Sequence, residues 1–306
     1  MIRHRIAVAT LTALTATLAT TAAGFVVGAG SAAADTECPG LYVVAVPGTW
    51  ETSESGPAGE DSGLLNTVTA GLPTTVRVDY VNYAATAFPW EGEVYGQSKA
   101  EAIGNARAMV ADMANSCAST RIALLGYSQG ADAAGDLAAE IGSRTSVVAP
   151  ERMAAVGLIS DPRRSPGDML VGAPVAGAGA SGPRPGGFGA LASKVRTFCA
   201  EGDLYCATPP EDFVTRFAGF VAQLSDPNPL NTLNIQLEAE AIVGDLLAAG
   251  GLPALQNQFT AAANETRISQ LEQFYRSQVH ASYASYPVAD GQTATSWLHN
   301  WLSGLT

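Results

Sequence analysis

Positive charge is what this chain has least of. It carries 16 Lys and Arg against 28 Asp and Glu, a net charge of −12, and only 14% of its residues are charged. No basic patch stands out, which excludes nucleic acid as a partner and bulk electrostatic attraction to anionic membrane. Cysteine is also scarce. Cys38, Cys117, Cys199 and Cys206 include no C-x-x-C pair, which argues against a four-thiolate zinc site. Histidine is scarcer still, with only His4, His280 and His299 to serve any chemistry that needs an imidazole.

What is present is a 47% hydrophobic chain of 306 residues, rich in Ala and Gly, enough for one large α/β domain or two small ones. It begins with Arg3, His4 and Arg5, then an uncharged run from Ile6 to Gly30, then Ala32, Ala33 and Ala34 before Asp35. That pattern reads as an export signal over 1–34, cleaved after Ala34, with a retained anchor as the alternative. An even cysteine count in an exported chain suggests two disulfides, and three pairings are open. Cys199 and Cys206 are close enough to clip a small loop; Cys38 and Cys117 would then tie the mature N-terminus to a helix end.

The stretch Ile122 to Leu125 is a short apolar run. It leads into Gly126-Tyr127-Ser128-Gln129-Gly130, after which Ala131, Ala134, Leu137, Ala138 and Ile141 recur at helical spacing. Strand, tight G-x-S-x-G turn and helix together describe a nucleophile elbow, with Ser128 exposed at a helix N-terminus. Glycine suits positions 126 and 130 because side chains there would meet neighbouring backbone. The alternative is an ordinary Gly-rich strand-to-helix connection.

Other strands are expected at Leu41–Val46, Val76–Tyr83, Ala154–Ile159 and Lys194–Phe198. Helices are expected at Asp61–Leu72, from a capping box at Ser98-Lys99-Ala100-Glu101, and at Thr293–Leu305. Alternating strands and helices predict a parallel sheet covered on both faces, with Thr49, Ser128, Asp161 and Asp203 following strands and able to meet at one edge. Gly172 to Gly189 is a Gly/Pro/Ala loop, equally a mobile rim of the site or a solvated connection. From 207 to 279 no strand is visible. Phe213, Phe217, Phe220, Val221 and Leu224, then Ile235, Ala239, Ile242, Leu246 and Ala249, then Ile268, Leu271 and Tyr275, form helical stripes. This insert is either a cap packed on the core or a lid offering an apolar wall to acyl chains.

A serine nucleophile needs a positioned base. His4 falls in the signal and His299 inside an amphipathic helix, which leaves His280 at a helix-to-loop change. Asp203, framed by two cysteines, is the better acid; Asp161 is followed by Arg163 and Arg164, cations that could pair it. The order Ser128, Asp203, His280 is that of α/β-hydrolases. The oxyanion donors are the Gln129 N–H and the Gly48-Thr49 loop.

With Gly126-Tyr-Ser-Gln-Gly130, Cys199-Ala-Glu-Gly-Asp203-Leu-Tyr-Cys206, His280, Gly48-Thr49 and the Cys38/Cys117 pair in place, the sequence resembles the cutinase family of serine esterases. It is most similar to the larger cutinase-like proteins of actinobacterial cell envelopes, over about residues 38–206 and 280–303. The resemblance implies a three-layer α/β/α sandwich with a central mainly parallel sheet plus the helical insert, in one domain over 35–306. It implies a cofactor-free, metal-free triad of Ser128 as nucleophile, Asp203 as acid and His280 as base. It places Thr49 and Gln129 in the oxyanion hole and pairs Cys38–Cys117 and Cys199–Cys206. The sequence departs from compact members in two ways. Thr49 stands where they often have serine, and Asp203 and His280 lie 77 positions apart where theirs are close.

The expectation is therefore a monomeric, secreted or envelope-associated serine esterase or lipase. It would act on acyl lipids or polyester through an acyl-enzyme, with a lipid or cell-envelope surface as its surroundings. A covered site favours lipid esters or thioesters over solid polyester. The competing readings are a phospholipase, thioesterase or acyltransferase on envelope lipids, and a catalytically silent envelope-binding protein.

Overall fold

The computed structural model describes residues 38–54, 63–225 and 232–306. The expected export segment, 1–34, lies outside them. Residues Cys38–Thr306 form one compact unit.

Five strands build one parallel sheet: β1 (Leu41–Val46), β2 (Val76–Tyr80), β3 (Arg121–Tyr127), β4 (Met153–Ile159) and β5 (Val195–Phe198), in the order β2-β1-β3-β4-β5. The inner strands β1, β3 and β4 are apolar on both faces along nearly all their length, as a doubly covered sheet requires, whereas the edge strands carry Arg77 and Asp79 on β2 and Arg196 on β5. Tyr42, Val44 and Val46 of β1 face α2 (Tyr95–Ser116) and α3 (Gln129–Gly142), while Leu41, Val43 and Ala45 face α1 (Asn66–Thr69) and α8 (Ala294–Ser303). Helices, sheet and helices make the three-layer α/β/α sandwich expected from the sequence. A small antiparallel pair, β6 (Pro287–Ala289) and β7 (Gln292–Thr293), leads into α8. Cys38–Cys117 and Cys199–Cys206 are both disulfides. Among the described residues no helix is long and apolar enough to cross a membrane.

Several local expectations are corrected. The helix expected at Ser98 begins at Tyr95, so the capping box does not cap it. Ser98 and Glu101 satisfy a neighbouring loop instead. Ser98 Oγ accepts from the Thr86 N–H at 3.1 Å and Glu101 from the Ala84 N–H at 2.7 Å. That loop has no strand partner for these donors, and buried donors must be satisfied. β2 ends at Tyr80 rather than Tyr83, and β5 starts at Val195 because Gly189–Lys194 is a 3-10 turn. Of the helix expected at 61–72, the described part contains one turn, Asn66–Thr69.

The Gly/Pro-rich 172–189 segment is solvated only in part: Gly172, Ala173, Pro174 and Ala176 are exposed, whereas Gly179, Ser181 and Arg184 are buried. Gly179 lies so close to the core that a Cβ on it would sit 2.1 Å from the Pro162 carbonyl oxygen. The same segment delivers Arg184 into the interior. There Arg184 Nη1 meets Asp161 Oδ2 at 2.5 Å and Nε meets Asp136 Oδ1 at 2.8 Å. Asp161 is thus paired, but by Arg184; Arg163 gives it a backbone N–H at 2.9 Å. Lys99 Nζ completes the cluster, 3.0 Å from Asp136 Oδ2.

Among its described residues the insert forms four α-helices: α4 (Phe213–Leu224), α5 (Thr232–Ala248), α6 (Leu252–Asn257) and α7 (Ala261–Ser277). The expected apolar stripes hold in part: Ala239, Ile242 and Leu246 are the half-buried side of α5, whereas most of the α4 and α7 stripes face outward. On α4 the buried residues are Phe213, Arg216 and Gln223, while Phe217, Val221 and Leu224 are exposed; on α7 Ile268, Leu271 and Tyr275 are exposed and Phe274 is buried. The reason is the polar interior that α4 meets. Gln223 Nε2 donates to Asp132 Oδ2 at 2.7 Å, its Oε1 accepts from Lys99, and Ser225 Oγ accepts from the Gly96 N–H at 2.8 Å.

Burial alone would raise the Asp136 carboxyl, but Lys99, Arg163 and Arg184 outweigh it and hold it well below the ordinary carboxylate range. A carboxyl lowered in the folded state stabilises the fold above its unfolded value, about 3.9, and loses that contribution as pH falls through the folded value. Asp136→Asn leaves buried cations undercompensated and should lower the unfolding free energy at neutral pH by about 3 kcal/mol. The gap to wild type should narrow as pH drops below about 4. Urea unfolding across that range measures both.

Candidate active site

The site sits at the carboxyl ends of the parallel strands. The turn after β3 is held by close backbone approach. A Cβ on Gly126 would lie 2.4 Å from the Gly130 carbonyl oxygen, and one on Gly130 would lie 2.0 Å from that of Val46. Between them Ser128 adopts φ 55 and ψ −123, a conformation that non-glycine residues seldom hold outside functional turns. Its Oγ stands 2.9 Å from His280 Nε2.

His280 lies in a 3-10 turn, Val279–Ala281, that follows α7. Tyr127, the residue before the serine, fixes this turn by donating its hydroxyl to the His280 carbonyl at 2.8 Å. The imidazole is enclosed by rings, with centroids of Tyr205 at 4.5 Å, Tyr127 at 5.2 Å and Phe274 at 6.2 Å. Phe274 brings the helical insert to the site. His280 Nδ1 lies 3.0 Å from Asp203 Oδ2 and 3.2 Å from Oδ1. A carboxylate at Nδ1 places the ring proton there and leaves Nε2 free to accept from Ser128.

Asp203 is fully buried in the loop that the Cys199–Cys206 disulfide clips. Burial alone would raise its carboxyl. The hydrogen bond and charge of His280, with the hydroxyls of Ser160 and Tyr283, outweigh that and hold it below its ordinary value. Ser160 Oγ donates to Asp203 Oδ2 at 2.6 Å and Tyr283 OH donates to the same oxygen at 2.7 Å. The sequence reading missed both residues. Ser160 stands directly after an apolar strand and Tyr283 three positions after His280, but only the fold brings them to one carboxylate.

Thr49 and Gln129 are adjacent, with the Thr49 hydroxyl 3.3 Å from Gln129 Oε1. The Gln129 amide nitrogen is committed elsewhere, donating to the Thr86 and Tyr95 carbonyls at 2.9 and 3.2 Å. What Gln129 offers at the serine is therefore its backbone N–H, at the first turn of α3, where such groups lack helical partners. Glu51, also missed, shapes the Thr49 loop by accepting from the Gly48 and Leu64 N–H groups at 2.9 and 2.8 Å.

Ser128, His280, Asp203, Thr49 and Gln129 are thus brought together. Asp161 belongs to the Arg184 cluster, and His299 contacts the Val68 carbonyl through Nδ1 at 2.8 Å. Among the described residues no group of three His, Cys, Asp or Glu is placed to hold a metal. Ser128 is only 7% exposed. A cavity of about 480 Å³ adjoins the His280 turn, lined in part by Leu204, Ala207, Pro209, Phe274 and Val279. The arrangement can move a proton from a serine hydroxyl through an imidazole whose far nitrogen is anchored on a carboxylate.

A family model described as cutinase matches residues 37–222. A carboxylesterase Culp6 homolog of Corynebacterium glutamicum is 30% identical over 207 residues, covering 56% of this chain and 66% of that protein, just under two thirds of its length. Among solved structures, the catalytic core domain of acetyl xylan esterase from Trichoderma reesei is 24% identical, covering 62% of this chain and 98% of that one, with a TM-score of 0.45. A cutinase-like protein from Cryptococcus sp. is 19% identical, covering 71% and 98%, with a TM-score of 0.41.

Gly130→Ala should force β1 and the serine turn apart, lowering the unfolding midpoint and suppressing covalent labelling of Ser128 by a fluorophosphonate. Gly104→Ala is the matched control. Its Cβ would enter open space on α2, so it should gain about 0.5–1 kcal/mol and keep full labelling.

Proposed function

The chain belongs to the cutinase family, and from that premise we propose that it is an exported serine carboxylic-ester hydrolase acting on acyl lipid esters through an acyl-enzyme. The observation that carries the reading is the continuous relay Ser128 Oγ, His280, Asp203, with contacts of 2.9 and 3.0 Å. Ser128 attacks the ester carbonyl as His280 Nε2 takes its proton. The Gln129 N–H and the Thr49 hydroxyl, freed from its long bond to Gln129, stabilise the oxyanion. His280 then returns the proton to the departing alkoxide. A water deprotonated by the same nitrogen releases the acid and restores Ser128.

The choice of acyl lipid rests on how the serine is covered. The serine is nearly buried, and the ring of Phe274 reaches its partner His280 from the insert, with centroids 6.2 Å apart. The insert's outer faces expose Leu247, Leu252, Phe259, Ile268 and Tyr275. Exposed apolar side chains on a segment that also reaches His280 suit a substrate presented at a lipid surface. Residues 35–306 act as one catalytic domain in this reading, with 207–279 its cap. The two disulfides support export.

Ser128→Ala should lose p-nitrophenyl ester turnover by about 10⁴-fold or more and all fluorophosphonate labelling; turnover at the wild-type rate would overturn the assignment. Phe274→Ala should keep turnover of a short acetyl ester and alter preference along a series of longer acyl chains. An unchanged profile across that series would remove the insert from substrate choice.

A further inference from the structure

We propose that Ser160 and Tyr283 are positioning residues for the reaction: their hydroxyls share the Asp203 carboxylate with His280 and so set how strongly that carboxylate holds the imidazolium. The inference rests on the relay proposed above and adds two residues that no motif contains.

Asp203 is saturated with donors. Its Oδ2 faces His280 Nδ1 at 3.0 Å, Ser160 Oγ at 2.6 Å and Tyr283 OH at 2.7 Å, while Oδ1 faces His280 Nδ1 at 3.2 Å and the Tyr205 N–H at 3.1 Å. An ionised carboxylate offers about four acceptor positions, and all are taken here. The directions of the two hydroxyl protons are fixed. Tyr283 OH accepts the Ala200 N–H at 2.9 Å, which turns its own proton to Asp203. Ser160 Oγ lies 3.0 Å from His280 Nδ1, whose proton already points at the carboxylate. The Ser160 proton therefore goes to Asp203 and its lone pair faces the ring. One hydroxyl contacts both members of the acid–base pair.

The backbone adds an independent argument. Ser160 sits at φ 53 directly after β4, where glycine would adopt the conformation without strain. It is fully buried and its N–H is held by the Phe198 carbonyl at 2.8 Å. Ser160 thus holds a left-handed backbone conformation while its hydroxyl lies on the acid of the relay.

The physical effect follows from sharing. Each added donor draws carboxylate charge away from the imidazolium that forms during turnover. A less tightly held imidazolium returns its proton to the leaving alkoxide more readily, while the donors keep the carboxylate aimed at Nδ1. The phenols facing the pair are uncharged at neutral pH, and the charges outside the pair that act on them are Glu51 on Tyr127 and Arg164 on Tyr283. The Tyr127, Tyr205 and Tyr283 phenols are all pushed upward, chiefly by burial, Tyr205 to about 12. Phe274 from α7 is apolar. The buried cation nearby, Arg164, is directed to the Cys206 carbonyl at 2.7 Å.

The test is the pH profile of kcat/KM on a soluble short-chain p-nitrophenyl ester for Ser160→Gly and Tyr283→Phe. Ser160→Gly deletes the hydroxyl at a backbone conformation glycine accepts, and Tyr283→Phe keeps the ring in place. Both should fold, which unfolding midpoints check, and each reports the network from a different segment. The expected result is an acidic limb moved to higher pH by about half a unit or more, since a carboxylate relieved of a donor stabilises the protonated base. The plateau should fall about ten-fold as His280 loses orientation. A lowered plateau with the acidic limb unmoved in both variants would reduce the two residues to scaffolding and overturn the proposal. Ser128→Ala, run alongside, separates the levels. If it turns over normally the relay itself is wrong, whereas if it is inactive and the limbs stay put, only this inference fails.

Discussion

The site depends on a contact that contains no side chain. Gly130, at the start of α3, rests against the carbonyls that end β1. A single methyl group would separate the two strands' ends, and with them the serine from the loop that carries Thr49. The parallel register then aligns the remaining parts, because β1, β3, β4 and β5 all finish at the same edge and each hands over one residue of the candidate site within a few positions. Thr49 follows β1, Ser128 follows β3, Ser160 follows β4 and Asp203 follows β5. His280 arrives from outside the sheet and is fitted to this edge by the Tyr127 hydroxyl and by stacking rather than by a strand.

The helical insert obeys a different logic from the rest of the chain. A surface helix ordinarily buries its apolar stripe. α4 buries Arg216 and Gln223 and leaves Phe217, Val221 and Leu224 outside. The interior it meets is the charged cluster of Lys99, Asp132, Asp136 and Arg184, which needs amide and hydroxyl partners rather than methyl groups. The insert is therefore joined to the core by polar bonds at α4 and touches the relay through one aromatic residue of α7. Most of the apolar stripes of α4 and α7 face outward.

How much of this could be read from residues alone divides along the range of the interactions. The sheet, its helices and the sandwich were legible because strand runs and helical periodicity are local patterns. Ser128 was legible because a strand, a glycine-flanked turn and a helix are contiguous. His280 and Asp203 were reached by elimination and by the cysteine frame. What stayed hidden was every feature made by residues distant in sequence acting on one another. Arg184, within a run that looked like solvated loop, is a buried cation because three aspartates from elsewhere surround it. Ser98 and Glu101 had the spacing of a cap but are used by a loop whose amides have no other acceptor. The insert's stripes located the helices and the inner side of α5 but not that of α4 and α7, since periodicity reports a face without reporting what lies beneath it.

The contact between Tyr127 and the His280 carbonyl changes what the pentapeptide around Ser128 encodes. Its second residue is usually written as a free position. Here it is the point at which the turn reads the address of a histidine 153 positions further along the chain. The motif is then two statements in five letters. The glycines and serine describe a shape, and the tyrosine describes a long-range correspondence. A chain keeping the shape with an aliphatic residue in that place would have to locate its histidine by some other bond, and would belong to a different solution of the same geometric problem.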